Sequence, residues 1–292
     1  MATKTTAGGF TSEIVKQINE QAYLMIHEGL LVPKLGREIG KGQKGSTVHY
    51  PYFDPTTFSN AASTLTEAND FVNYTQLTNA SVILTASEFG LISFLTDTTV
   101  EGGTMDFAGE IARQQAIGVI AKYERHCLAA LSAGFVTGTV TGTNSTNGFT
   151  YTHYAAAKSK IDGKILTVPG RKNAVVNEYS WFYTAKSTFS QTYAAAMGPV
   201  GDEIVKRYHI NTLFNDVDVY RSNYISASIT APGYMFVKDA LGIWKPRDYR
   251  LETQRDASAR GDEAVSTMRG TAKVLIGSYG VRLKMYASTP TP

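Results

Sequence analysis

The stretch TMDFAGEIARQQAIGVIAKYERHCLAALS, residues 104–132, constrains this chain more than any other. Its spacing predicts one long amphipathic helix. Thr104 is placed to cap the first turn, and Asp106 puts a negative charge where the helix dipole favours one. Ile117, Ile120, Tyr123, Cys127 and Leu131 recur at intervals of three and four and so share a face. Arg113, Lys122, Glu124 and Arg125 fall mostly off it. No proline interrupts the run, and Gly134 offers a stop. At a rise of about 1.5 Å per residue the helix is roughly 40 Å long, a spine on which sheets can be laid.

The 292 residues around it suffice for one large domain or two. With 17 Tyr and 13 Phe, the chain favours a β-rich body with wide contact surfaces. A net charge of +3 is too small for a dedicated nucleic-acid binder, though it does not repel DNA strongly. The single cysteine, Cys127, excludes an internal disulfide and reads as a small buried hydrophobe. No run approaches the roughly 18 apolar residues of a membrane span. The opening MATKTTAGGF lacks the apolar core of a signal peptide, which points to cytoplasmic synthesis.

Residues 1–11 read as a flexible arm. Ser12 then opens a helix in which Ile14, Ile18, Ala22 and Ile26 fall at four-residue steps, closed by Gly29. That stripe is too thin for a core helix and predicts an arm packed on something else. Residues 47–53 and 71–77 read as the two strands of a projecting ribbon, and 81–95 as a further β-run. The polar span 54–70 between the ribbon strands is long for a hairpin loop. Residues 134–150 are a Gly, Thr, Asn and Ser loop with turn chemistry at Asn147-Gly148. Helices are predicted at 154–161 and 183–197, a short apolar run at 173–176, and alternating helix and strand at 203–208 and 218–222. Residues 234–237, 242–244 and 273–286 read as β-structure, and the mixed charges of 238–273 as a solvated or subunit-facing surface. Composition shifts near Gly134 and Ala231 predict a module inserted into a body made from the flanking segments.

Little here points to catalysis. Gly40-Lys41-Gly42-Gln43-Lys44-Gly45 matches GxGxxG, but a dinucleotide site needs that motif to open a helix. The residues that follow alternate like a strand, so a turn at the base of the ribbon is the better reading. Gly45 is followed by Ser46 where a phosphate-binding loop requires lysine. His27, His49, His126, His153 and His209 include no pair at the spacing that puts two zinc ligands on one helix face. The acidic pairs Asp216/Asp218 and Asp262/Glu263 read as solvated charges in polar loops. No catalytic, cofactor-binding or metal site is therefore assigned.

The order of parts carries more than any single motif. The decapeptide from Gly42 to Pro51, GQKGSTVHYP, resembles the KGDTV-x-IP lead-in to the extended loop of HK97-like capsid proteins. Residues 81–96, SVILTASEFGLISFLT, resemble the strands running up to that family's spine helix. Val217-Asp218-Val219-Tyr220-Arg221-Ser222-Asn223 resembles its GV-x-VY-x-SN run, and Tyr279-Gly280-Val281 a closing YG-x strand. Together the resemblances span most of residues 12–286 and point to the major capsid proteins of tailed bacteriophages.

The resemblance implies an α+β, HK97-like capsid fold. Residues 1–44 would be the N-terminal arm and helix, 45–78 the extended loop, 79–133 with 234–286 the peripheral domain, 134–233 the axial domain and 287–292 a tail. It implies a structural protein, not an enzyme, that assembles through pentamers and hexamers into an icosahedral shell around double-stranded DNA held nonspecifically. Partners would be copies of itself, a portal, and scaffolding or decoration proteins, with no membrane and no cofactor. The place would be the virion capsid. Tyr50, Tyr52, Phe53, Phe58, Phe71 and Tyr74 would cover a neighbouring subunit. There is no lysine between Ser46 and Leu77, so the crosslinking found in some members is not implied. Two alternatives stand beside this one: an encapsulin-like compartment shell, and a nucleotide-dependent enzyme using the 40–45 loop.

Overall fold

The structure, a computed structural model, describes residues 29–52, 80–97, 107–135, 140–141, 151–164, 170–188, 212–213, 216–226 and 231–285. The long helix is present as α2, Phe107–Gly134. Thr104 and Asp106 lie outside the described residues, as do the predicted arm helix and the turn at Asn147-Gly148. A short helix α1, Val32–Leu35, precedes α2 in the chain and packs on it.

The four-stranded sheet that α2 lies on runs β1-β10-β11-β4. Its strands are Arg37–Glu38 (β1), Leu241–Asp256 (β10), Gly261–Val274 (β11) and Ser87–Thr96 (β4). The pair β10/β11 is an antiparallel hairpin of 16 and 14 residues, where the charges of 238–273 had suggested only a solvated surface. The reason is the two-residue period of a strand. On β11, Ala264, Ser266, Met268 and Gly270 turn inward, while Glu263, Val265, Thr267 and Arg269 alternate toward the other face. Charge on one face does not stop the other from packing.

The buried stripe of α2 is Ala116, Val119, Ile120, Tyr123, Cys127, Leu128 and Leu131. Cys127 is fully buried, as expected. Ile117 departs from expectation at 49% exposure. It stands about 100° around the helix from Ala116, beyond the width the sheet covers. Glu124 departs in the opposite sense and is fully buried, because α1 covers the helix at its level. The close of α2 is tight. Phe135 N–H donates to Leu131 C=O at 3.0 Å, and Gly134 abuts Val274 so closely that a methyl there would sit 2.3 Å from Val274 Cγ2.

A second sheet of six strands runs β5-β12-β9-β6-β8-β7. These are Val140–Thr141 (β5), Lys172–Val176 (β6), Thr212–Leu213 (β7), Val217–Arg221 (β8), Ala231–Val237 (β9) and Gly280–Met285 (β12). Helix α3, Tyr151–Asp162, buries Tyr154, Ala157 and Ile161 among Ala174, Val176, Val219 and Met235. Helix α4 is Glu178–Thr188, beginning five residues before the predicted start. Asn177 caps it: its Oδ1 accepts from Tyr179 N–H at 2.8 Å.

The ribbon is β2, Thr47–Tyr52, paired antiparallel with β3, Ala80–Thr85, from Thr47↔Thr85 to Tyr52↔Ala80. The predicted ribbon strand 71–77 lies outside the described residues. The predicted β-run of 81–95 is divided at Ala86, whose N–H donates to Ser46 C=O at 3.0 Å. Its first half joins the ribbon and its second half becomes β4.

Candidate subunit interface

The residues predicted to cover a neighbour begin on the ribbon. Tyr50 and Tyr52 on β2 are half-buried. Arg37 sits over the Tyr50 ring, its Cζ 5.6 Å from the centroid. Phe53, Phe58, Phe71 and Tyr74 lie outside the described residues. The base of the ribbon has more to bury in its own subunit than its composition suggested. Val48 and Leu84 form a core with Ile39, Trp244 and Leu275, against which Tyr50 packs.

The 40–45 loop is the turn that launches the ribbon. Gly40 and Gly42 take φ of 62° and 78°, the left-handed region that glycine occupies without strain. Gln43 N–H donates to Gly40 C=O at 2.9 Å. The loop runs into β2 and not into a helix, so it lacks the helix N-terminus on which a dinucleotide pyrophosphate sits. The GxGxxG match is therefore a turn leading into a strand, not the dinucleotide-binding arrangement.

An apolar strip lies along the outermost strand of the α2 sheet. β4 pairs with β11 on one side, and among the described residues no strand pairs with its other edge. Ile92 is 64% exposed and Phe94 42% on one face of β4; Leu91, on the opposite face against Gly118 of α2, and the α2 residue Ile117 are also exposed. Ion pairs pin both ends of the strip within the chain. Arg247 pairs with Glu88, and Arg255 grips Asp97 through two bonds of 2.9 and 2.8 Å. The Arg255 guanidinium holds the Asp97 carboxyl below its ordinary range. Sequence spacing alone could not mark this strip, because Leu91, Ile92 and Phe94 read as ordinary strand residues.

The six-stranded sheet carries an ion quartet, centred on a buried lysine, that the sequence reading missed. Asp216, expected to be a solvated charge, contacts Lys172 Nζ at 2.8 Å and Lys158 Nζ at 3.1 Å. Asp162 contacts the same two ammonium groups at 2.7 and 3.1 Å. The Lys172 side chain is fully buried. Burial pushes the Asp216 carboxyl up, but hydrogen bonds to Lys172 and Lys158 outweigh it and hold the group below its ordinary range. Asp218 is paired too, with Arg171 at 3.0 Å. The one sequence signal was the spacing of Lys158 and Asp162, four apart on a helix. Among the described residues, no cluster of three His, Cys, Asp or Glu could hold a metal ion, and no helix is long and apolar enough to cross a membrane.

An open apolar edge, a ribbon rooted in the body and a quartet that locks a second sheet together make a building part. The family model for phage capsid protein matches residues 79–280, more than half of the chain. The chain belongs to the phage capsid protein family. It is a structural major capsid protein, whose copies assemble into shells and whose place is the virion capsid. The capsid protein's fold is similar to that of Mycobacterium phage Che8: 15% identity, 87% of this chain and 90% of that one covered, TM-score 0.68. It is also similar to the cyanophage Pam1 capsid asymmetric unit, at 9% identity over 100% of this chain and 99% of that one, TM-score 0.63. A virus-like particle from Pyrococcus furiosus matches at 9% identity over 93% and 100%, TM-score 0.63. At such identities the likeness is one of fold, and that fold is the HK97-like α+β arrangement. No curated protein matches the capsid protein's sequence.

Proposed function

We propose that this capsid protein assembles through pentamers and hexamers into an icosahedral shell enclosing double-stranded DNA. The observation that carries the reading is the open β4 edge. Ile92 and Phe94, at 64% and 42% exposure, are placed on a strand whose outer edge pairs with no other strand among the described residues. Such an edge is normally blunted with charge or covered. A second copy would cover it, at about 25 cal/mol per Å² of apolar area buried. In this reading residues 1–44 are an arm, 45–78 an extended loop lying over a neighbour through Tyr50, Tyr52, Phe53, Phe58, Phe71 and Tyr74, and 287–292 a tail. The α2 sheet with 79–133 and 234–286 is the peripheral domain, and the six-stranded sheet with 134–233 the axial domain. DNA meets the inner wall through backbone charge, without base readout. A portal and scaffolding or decoration proteins complete the particle, synthesis is in the host cytoplasm, and the role is structural without catalysis.

Negative-stain electron microscopy of the purified chain tests this. Shells, pentamers or hexamers are expected. A chain that stays monomeric at high concentration in every buffer overturns it. The match to the phage capsid family favours a virion over an enzyme-packaging compartment.

A further inference from the structure

Glu124 takes no part in the surfaces above, and it sits where a carboxylate is costly to place. It lies midway along α2 with no exposure to solvent. Residues 29–35 close over it. A methyl on Gly29 would stand 2.8 Å from Ile120 Cδ1, and Leu30, Val32 and Leu35 share one core with Ile120, Tyr123 and Cys127. One carboxylate oxygen, Oε1, accepts hydrogen bonds from the backbone N–H groups of Leu31 and Val32, the second at 3.0 Å. The other, Oε2, is 3.3 Å from the Val32 nitrogen. A neutral carboxyl keeps both principal bonds, because Oε1 carries them and Oε2 is left to hold the proton.

We infer that Glu124 is a proton-dependent clasp: residues 29–35 close on α2 over a neutral Glu124 and are loosened when its carboxyl ionises. Burial pushes the carboxyl from its ordinary 4.5 up to about 7, against the N–H groups of Leu31 and Val32 and the charge of Lys34. A group that holds its proton more tightly in the closed state makes closing take up a proton. Closing is therefore strongest below about 4.5, weakens as pH rises toward about 7, and is level above it.

The charged and titratable groups around the junction come from the closing segment, α2, β10 and β1. Lys34 belongs to the closing segment itself. On α2, burial pushes Tyr123 and Cys127 up, and His126 is pushed down where it faces Phe89 and Thr271 on the sheet. On β10, Asp248 acts on Tyr123. Lys245 and Glu38, with Pro33 and Ile243, line a cavity of about 170 Å³ beside Tyr123. Residues 29–35 join the proposed arm to the body, so acidity would tighten the arm's anchor. That consequence rests on the shell reading; the clasp itself does not.

Hydrogen exchange of the unassembled full-length chain, read on the peptide covering 29–36, tests the clasp against Glu124→Gln. The variant mimics the neutral carboxyl and keeps His126, so comparison at each pH removes intrinsic exchange and the histidine's own titration. The ratio of wild-type to variant exchange should be level below about 4.5, rise about tenfold per pH unit between about 4.5 and 7, and level off again above that. A ratio flat with pH overturns the inference. If the variant does not fold, a carbon-13 titration of the Glu124 carboxyl decides: a midpoint near 7 supports the clasp and one near 4.5 overturns it. Neither measurement depends on shell formation, so a failure of assembly is read separately by microscopy.

Discussion

Gly280 stands against the Phe135 ring so closely that a methyl there would be 2.2 Å from ring carbons. Gly280→Ala should lower unfolding stability by about 1–3 kcal/mol, as overpacking does, measured by chemical denaturation. Gly42 is the contrast, with open space around it and φ of 78°; Gly42→Ala should cost about 1 kcal/mol from backbone conformation alone. Lys172 lies between Asp162 and Asp216, and its side chain is fully buried while theirs are about a quarter exposed. Lys172→Met should cost about 3 kcal/mol, because it leaves two carboxylates facing Lys158 alone. The sign of the pH effect follows from Asp216, whose carboxyl is held below its ordinary 3.8. Its contribution is fully present above 3.8 and is lost as pH falls below that value toward the lowered one. Acid unfolding of the wild type should therefore be steeper in that range than that of Lys172→Met. Asn177 is a residue type that favours helix caps, and the predicted start at 183 overlooked it. Lys172 was not legible, since a lysine in a strand carries no sign that two aspartates will meet it.

Among the elements, α2 and the ribbon differ in how much their own sequence decides. The helix follows from local period, caps and the absence of proline, and it appears within a few residues of its predicted span. The ribbon's partner strand depends on where the chain returns, and among the described residues that is 80–85. Its root is Leu84, fully buried with Val48 and Trp244. Leu84→Ala should destabilise the chain by about 2–4 kcal/mol. Hydrogen exchange should place the loosening in β2 and β3 while α2 remains protected; equal loosening throughout would show that the ribbon is not separately rooted. The β10/β11 hairpin escaped the sequence reading because its charges masked a period of two. Gln115 belongs with it: buried on α2, it donates from Nε2 to Ala264 C=O at 2.8 Å and so ties helix to strand.

For the whole molecule, the open β4 edge is the feature that assembly should consume. Ile92→Asp puts a charge at the most exposed of the strip's residues, 64% accessible in the single chain. The variant should keep its circular dichroism and melting behaviour, because surface substitutions usually shift stability within about 0.5 kcal/mol. It should fail to form shells by sedimentation and electron microscopy. Shells of normal yield would remove this edge from the interface. Tyr50 and Tyr52 were proposed from the ribbon's composition, whereas Ile92, Phe94 and Ile117 became visible as surface residues only once their neighbours were placed.

By itself the amino-acid order determined the long helix, the glycine turn before the ribbon, the burial of Cys127 and the sequence of parts that resembles a capsid protein. These rest on contacts within a few residues or on the order of segments, which the chain carries in one dimension. Only the tertiary structure decided that Glu124 is buried and Ile117 is not, that Lys172 gathers two aspartates, and that β4 is the outer strand of its sheet among the described residues. Each depends on which distant segment covers a given height of a helix or strand, and that is set by packing between residues far apart along the chain.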